Sequence, residues 1–279
     1  MNKLEKNGKE NKDPSYYIGL NYIPFIYIYL IKKYAAQCAI LSSVNYTTNA
    51  LKYIITTNTI IENISHLSHK LKECIKRGTA IIFIPLTLSD DKSAHENLLI
   101  YRPFKKIVER YEPHGQKTWW PTAEYDEDKL NAKLTNFFKD MNPVLGEYTP
   151  VFKTPRELCP RNLKGFQGIE NLLPDNAKEN GYCQIWSMFM METILLNPTL
   201  NTEDIIEQCI TIGNTDPLYF KNVIRGYTQQ IAKEMKIVLG KYLKDIDHIG
   251  TPNSDKVFNS ILSKELLIEA LKDASKLKK

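Results

Sequence analysis

The segment Cys183–Asn197 (CQIWSMFMMETILLN) places apolar side chains around almost the whole circumference of a helix. Such a helix has no face to offer water, so it must lie at the centre of a core with other elements packed round it. Pro198 stands just past its end, where a helix cannot continue. A chain of 279 residues, 43% of them hydrophobic, can enclose that helix in one large domain or in a domain plus a smaller lobe.

The elements that cover it differ along the chain. Residues 1–15 are polar and predict a disordered tail. Residues 16–78 carry apolar periodicity through Leu51–Ile61 and Leu67–Ile75, which predicts a helical N-terminal lobe ending at Gly78. Thr79–Leu88 (TAIIFIPLTL) is short and β-branched, the pattern of a buried strand. His95–Arg102 and Ile107–Glu112, joined by Pro103–Lys106, predict a hairpin. Leu130, Leu134, Phe137 and Phe138 recur at helical spacing in Asp126–Met141, whereas 143–180 is rich in Pro and Gly and reads as irregular. Residues 202–246 and 256–277 predict a helical C-terminal extension. The expected fold is α+β, a small mixed sheet packed on the central helix, and residues 79–279 form the main domain. No internal repeat is visible.

Several function classes are disfavoured at this stage. The net charge of +5, from 37 Lys+Arg against 32 Asp+Glu, is mild and shows no basic stripe, so no nucleic-acid partner is expected. Five cysteines in odd number, with no Cys-x-x-Cys pair, fit free thiols in a reducing compartment. The apolar run Ile18–Ile31 is shorter than the roughly 20 residues a spanning helix needs and predicts a buried helix. His66 and His69 with nearby Cys74 have no evident fourth ligand, so neither a metal nor a cofactor is expected.

The hairpin arranges polar residues in a way that suggests chemistry. If Arg102 pairs with Ile107, then Asn97 faces Glu112 and His95 faces His114, so all four share one side of the sheet. His95 and Glu112 become diagonal neighbours about 7–8 Å apart at the backbone, close enough for the carboxylate to accept the imidazole N–H. A cysteine nucleophile needs a base of this kind, because the reactive form is the thiolate. Cys183, after Gly181–Tyr182 at the start of the apolar helix, is the candidate partner, and the helix dipole favours a negative sulfur there. The backbone N–H of Cys183 and the side chain of Gln167 are candidate oxyanion donors, with Asn180 and Gln184 as alternatives. His114 is the second candidate base. Trp119, Trp120 and Trp186 are candidate substrate-binding aromatics.

These features in this order (IIFIPLTL, HENLLIY, IVERYEPHG, CPRNLKGFQ and GYCQIWSMFMMETILLNP) resemble the SUMO-specific protease and adenovirus protease superfamily of papain-like cysteine proteases. The resemblance covers about Thr79 to Pro198. The Gly-Tyr-Cys-x-x-Trp form looks most like versions carried by large DNA viruses. Glu96 stands where the family usually has Trp. The resemblance implies that Cys183 is the nucleophile, His95 the base, Glu112 its orienting acid and Gln167 an oxyanion donor. It implies a cysteine protease or isopeptidase that removes ubiquitin or a ubiquitin-like modifier from a protein substrate. An endoprotease maturing viral structural proteins, an acyltransferase using the same triad, and an inactive binding scaffold are the other readings it leaves open. It also implies a cytoplasmic setting, the host cytoplasm or the virion if the chain is viral.

Overall fold

The computed structural model describes residues 23–34, 38–41, 51–61, 64–90, 94–115, 125–158, 164–170, 183–213, 216 and 218–239. These form a mixed α+β fold built on one sheet with helices on both faces. The two longest strands, β4 (Ile81–Ser89) and β5 (Ala94–Arg102), lie antiparallel at its centre. Strand β6 (Ile107–Tyr111) follows β5, and β7 (Val151–Lys153) runs parallel to β6 at the edge. On the other edge of β4, β1 (Cys38–Ile40) and β2 (Leu51–Ile54) pair with successive stretches of it, both parallel. Beyond β2, β3 (Thr59–Ile61) closes the order.

Burial explains the sequence of the central strands. In β4, Ile81 and Phe83 face one core while Ile82, Ile84, Leu86 and Leu88 face the other. In β5, Leu98 and Ile100 alternate with Leu99 and Tyr101 in the same way. A strand covered on both sides has no position to spare for a solvent-facing residue, hence the continuous apolar run. One face is covered by α2 (Ile64–Lys76) and α3 (Glu127–Lys139), the latter started by the Asp126 carboxylate accepting from Lys129 N–H at 3.0 Å. The other face carries α1 (Ile23–Tyr34), α7 (Cys183–Leu196), α8 (Thr202–Gly213) and α9 (Tyr219–Leu239). Helix α7 lies at the centre of this layer: Trp186 is fully buried against Phe166, Phe189 and Phe220. Its Glu192 accepts from Tyr34 Oη at 2.9 Å and from Lys33 Nζ at 2.8 Å, which ties α1 to the same helix.

The expected helical N-terminal lobe is corrected by this arrangement. Residues 38–61 supply three strands of the common sheet, and α1 and α2 pack on its opposite faces. The period of Leu51–Ile61 was ambiguous because a short apolar run fits either element. Within 143–180, expected to be irregular, lie the short helices α4 (Asn142–Leu145), α5 (Pro155–Leu158) and α6 (Phe166–Glu170), with β7 between the first two. Of the expected helical stretch 202–246, α8 and α9 take up Thr202–Gly213 and Tyr219–Leu239, and 240–246 lie outside the described residues. From Ile23 onward, where it is described, the apolar run Ile18–Ile31 lies in α1, with Pro24 in the first turn, where proline costs no helical hydrogen bond. No helix among the described residues is long and apolar enough to cross a membrane. The polar tail, Trp119, Trp120, Asn180 and the helix expected at 256–277 lie outside the described residues.

Candidate active site

The site forms where β6 leaves β5. The observed ladder pairs Arg102 with Ile107 and Leu98 with Tyr111, the register the four-residue connection predicts. Lys106 adopts a left-handed conformation (φ 56°) to close that connection. One step past the last pair, the Asn97 amide donates to Glu112 Oε2 at 2.8 Å. The chain then turns through Pro113 to Gly115, whose N–H donates to the Glu112 carbonyl at 2.9 Å and whose φ is +96°.

At this turn His95 Nε2 lies 2.6 Å from Glu112 Oε1. Both are almost wholly buried, at 2% and 3% exposure. Cys183 acts on the same imidazole, whose Nδ1 is the ring nitrogen not bonded to Glu112. Cys183 is 7% exposed and opens α7. Its Sγ also accepts from the backbone N–H of Glu96 at 3.4 Å. Sulfur and carboxylate therefore both act on one imidazole.

The electrostatics suit an ion pair. Burial works against a charged His95, but the Glu112 carboxylate and the Cys183 sulfur outweigh it and push its pKa up to about 10. Burial likewise opposes ionisation of Glu112, yet His95, His114 and Arg110 hold its carboxyl well below the usual carboxylate range. Hydrogen bonds complete the stabilisation. Oε1 accepts from the His114 N–H at 3.0 Å as well as from His95, and Oε2 from Tyr125 Oη at 2.9 Å as well as from Asn97. A carboxylate with this many donors stays charged without water.

Behind it, Arg110 is fully buried. Its guanidinium donates to Asn97 Oδ1 at 2.8 Å and to Glu127 Oε1 at 2.8 Å, and lies 3.9 Å from Glu112. Arg110 and Tyr125 were not anticipated. The available signal was an arginine two residues before Glu112 on a strand, hence on the same buried face, where a charge requires a partner.

His114 packs its ring 4.9 Å from that of His95. Burial is the main cause of its low pKa, about 4; Glu112 opposes the shift and the neighbouring His95 adds to it. A neutral, buried ring on this side makes it a companion of His95. Gln167 is 4% exposed in α6, and its N–H donates to the Pro113 carbonyl at 3.0 Å. Gln167 Oε1 is buried with no hydrogen-bond partner. Its backbone thus belongs to the His114 turn, and no hydrogen bond joins it to Cys183. Gln184 lies in the first turn of α7. Trp186 is corrected as a substrate contact: it is 0% exposed and donates through Nε1 to Glu170 at 3.0 Å, so it is a core residue. His66 and His69 are exposed on α2, and no cluster of three or more metal-ligating side chains occurs among the described residues.

The turn is held by close contact with Gly165. Its N–H donates to the His114 carbonyl at 2.9 Å, and a Cβ there would lie 2.4 Å from the Pro113 carbonyl oxygen. Gly165→Ala is expected to cost about 1–3 kcal/mol, the range for overpacking, read from the denaturant midpoint.

No family model matches the chain. It is similar to the ankyrin repeat protein L371 of Acanthamoeba polyphaga mimivirus, 28% identical over 177 residues. The match takes in 60% of this chain and 22% of that protein, so the chain spans about a fifth of the relative's length. Ankyrin repeats recur about every 33 residues, and this chain has no such period.

Proposed function

We propose that the chain is a cysteine peptidase or isopeptidase acting on ubiquitin, a ubiquitin-like modifier or a protein with a similar tail. The observation that carries the reading is the buried group of Cys183, His95 and Glu112, with the imidazole bonded to the carboxylate at 2.6 Å and the sulfur acting on the same ring. In this scheme His95 Nδ1 takes the thiol proton and the sulfur attacks the substrate carbonyl carbon. The tetrahedral oxyanion is met by the Cys183 N–H, at the dipole-positive end of α7, with Gln167 as the side-chain candidate. Collapse breaks the C–N bond, and His95 gives its proton to the departing amine. Water, deprotonated by His95, then hydrolyses the thioester and restores the thiol. Glu112 holds the imidazole in the tautomer that presents Nδ1 to sulfur and stabilises the imidazolium.

The choice of modifier tails as substrate comes from the sequence resemblance. The similarity to a mimivirus protein favours a viral setting. The test is intact-mass analysis after reaction with ubiquitin and ubiquitin-like proteins bearing a C-terminal electrophile. A single adduct at Cys183 is expected with at least one of them. No adduct with any probe, alongside acetyl transfer from acetyl-CoA, would instead mark an acyltransferase. Cleavage of an internal peptide bond without probe labelling would mark an endoprotease. A Cys183 thiol inert to all reagents would mark a binding scaffold.

A further inference from the structure

The backbone N–H of Glu96 has an unusual partner for a strand residue. In the β5–β6 register, the residue opposite Glu96 would be Pro113, two steps past the last pair at Leu98 and Tyr111. Pro113 has no N–H to donate. Its carbonyl, the acceptor a continued ladder would offer to Glu96, is bonded instead to Gln167 N–H at 3.0 Å. Helix α6 has thus drawn the ladder partner away, leaving a strand N–H that needs an acceptor inside the protein. The sulfur of Cys183 takes that place at 3.4 Å.

We infer that the Glu96 backbone N–H is a catalytic donor that holds Cys183 as thiolate and aims it at the substrate, a role that rests on Cys183 being the nucleophile. A hydrogen bond to an ionised acceptor is about twice as strong as one to a neutral acceptor, so this donor favours the charged sulfur. It is fixed by the sheet, which lets it act without reorganising during the reaction. It approaches from the β5 edge beside His95, while the α7 N-terminus acts along the helix axis. The sulfur is therefore held from two directions. The bond weakens once the sulfur is acylated and neutral, so the donor acts on the attacking and leaving thiolate. This role needs no particular side chain at position 96, and it is compatible with glutamate standing where the resembling family usually has tryptophan.

Two measurements on the full chain test this. In ¹⁵N-labelled protein, the Glu96 amide proton should show a downfield step as Cys183 ionises that is missing from Cys183→Ala, whereas its response to the Glu96 carboxyl, raised to about 8 by burial, should remain in both. An amide that follows pH identically in both proteins would overturn the inference. Glu96→Pro removes the donor, and alkylation of Cys183 by iodoacetamide at pH 6 should slow about tenfold. Alkylation of the half-buried thiols Cys74 and Cys209 serves as an internal check that the variant is folded. An unslowed Cys183 in a folded Glu96→Pro variant would also overturn it, while leaving the nucleophile assignment intact. A Cys183 that reacts no faster than Cys74 in the unaltered chain would overturn the proposed function itself.

Discussion

Cys183→Ala should abolish hydrolysis, with a fall of at least about 10⁴-fold in turnover of a modifier-derived substrate, while the protein stays folded. Removing one sulfur atom leaves His95 still bonded to Glu112 at 2.6 Å and leaves the Trp186 and Met188 packing of α7 untouched. The loss should therefore be chemical. Its signature is intact substrate binding with no thioester, checked by affinity for an uncleaved substrate and by mass spectrometry of trapped intermediates. Turnover within tenfold of the unaltered protein would show that another group attacks, and the assignment would fail with it.

Glu112→Gln is expected to have the second largest effect, a drop of about 10³-fold in turnover together with lost stability. The amide is nearly isosteric but carries no charge. It cannot stabilise the imidazolium, and its NH₂ group cannot replace an oxygen that now accepts two donors. It also leaves the fully buried Arg110 with less negative charge around it, and breaking a buried charge pair typically costs about 3–5 kcal/mol. Asn97→Ala would remove one donor to Glu112 and the oxygen that accepts from Arg110 while leaving the Glu112 charge in place, so it should cost less activity than Glu112→Gln.

The pH dependence of stability follows from the same pair. His95 has a folded pKa of about 10 against an ordinary 6.5. Its stabilising contribution is therefore complete below about pH 6.5 and is lost as pH rises through about 10. Glu112 is depressed, so its contribution is complete above the ordinary carboxylate range and is lost as pH falls below that range. The contribution of this pair to melting temperature should accordingly be largest between about pH 5 and 6.5 and decline toward pH 10, read as the difference from Glu112→Gln. In Glu112→Gln the alkaline decline should flatten, because the charge that raises His95 is gone. A decline of equal steepness in both proteins would show that His95 is not charged in the fold.

The tertiary setting clarifies why the hairpin could be read so far ahead. Strand pairing has a period of two, and a four-residue connection sets the register, so the shared face of His95, Asn97 and Glu112 followed from local rules. The central helix was legible for a similar reason: a segment apolar on every side has only one place to go. The strands at Cys38–Ile40 and Leu51–Ile61 were not legible, because a three- or four-residue strand leaves no period to measure and its pairing is set by β4 from outside. Trp186 illustrates another limit. It lies in the first turn of a buried helix, beside the candidate nucleophile, where a side chain can still reach a groove, and only the packing of Phe166 and Phe220 and the bond to Glu170 placed it in the core.

By itself, then, the chain determined the local geometry: which residues share a face, which helix lies innermost, and that an imidazole and a carboxylate meet at the end of a hairpin. Those are short-range consequences of backbone periodicity and hydrophobic burial. The fold alone decided what surrounds them. The arrival of Cys183 beside His95, the Arg110–Asn97–Tyr125 support for Glu112, and the capture of the Pro113 carbonyl by α6 all join segments distant in sequence. Contacts of that kind depend on how whole layers pack, and no local pattern encodes them.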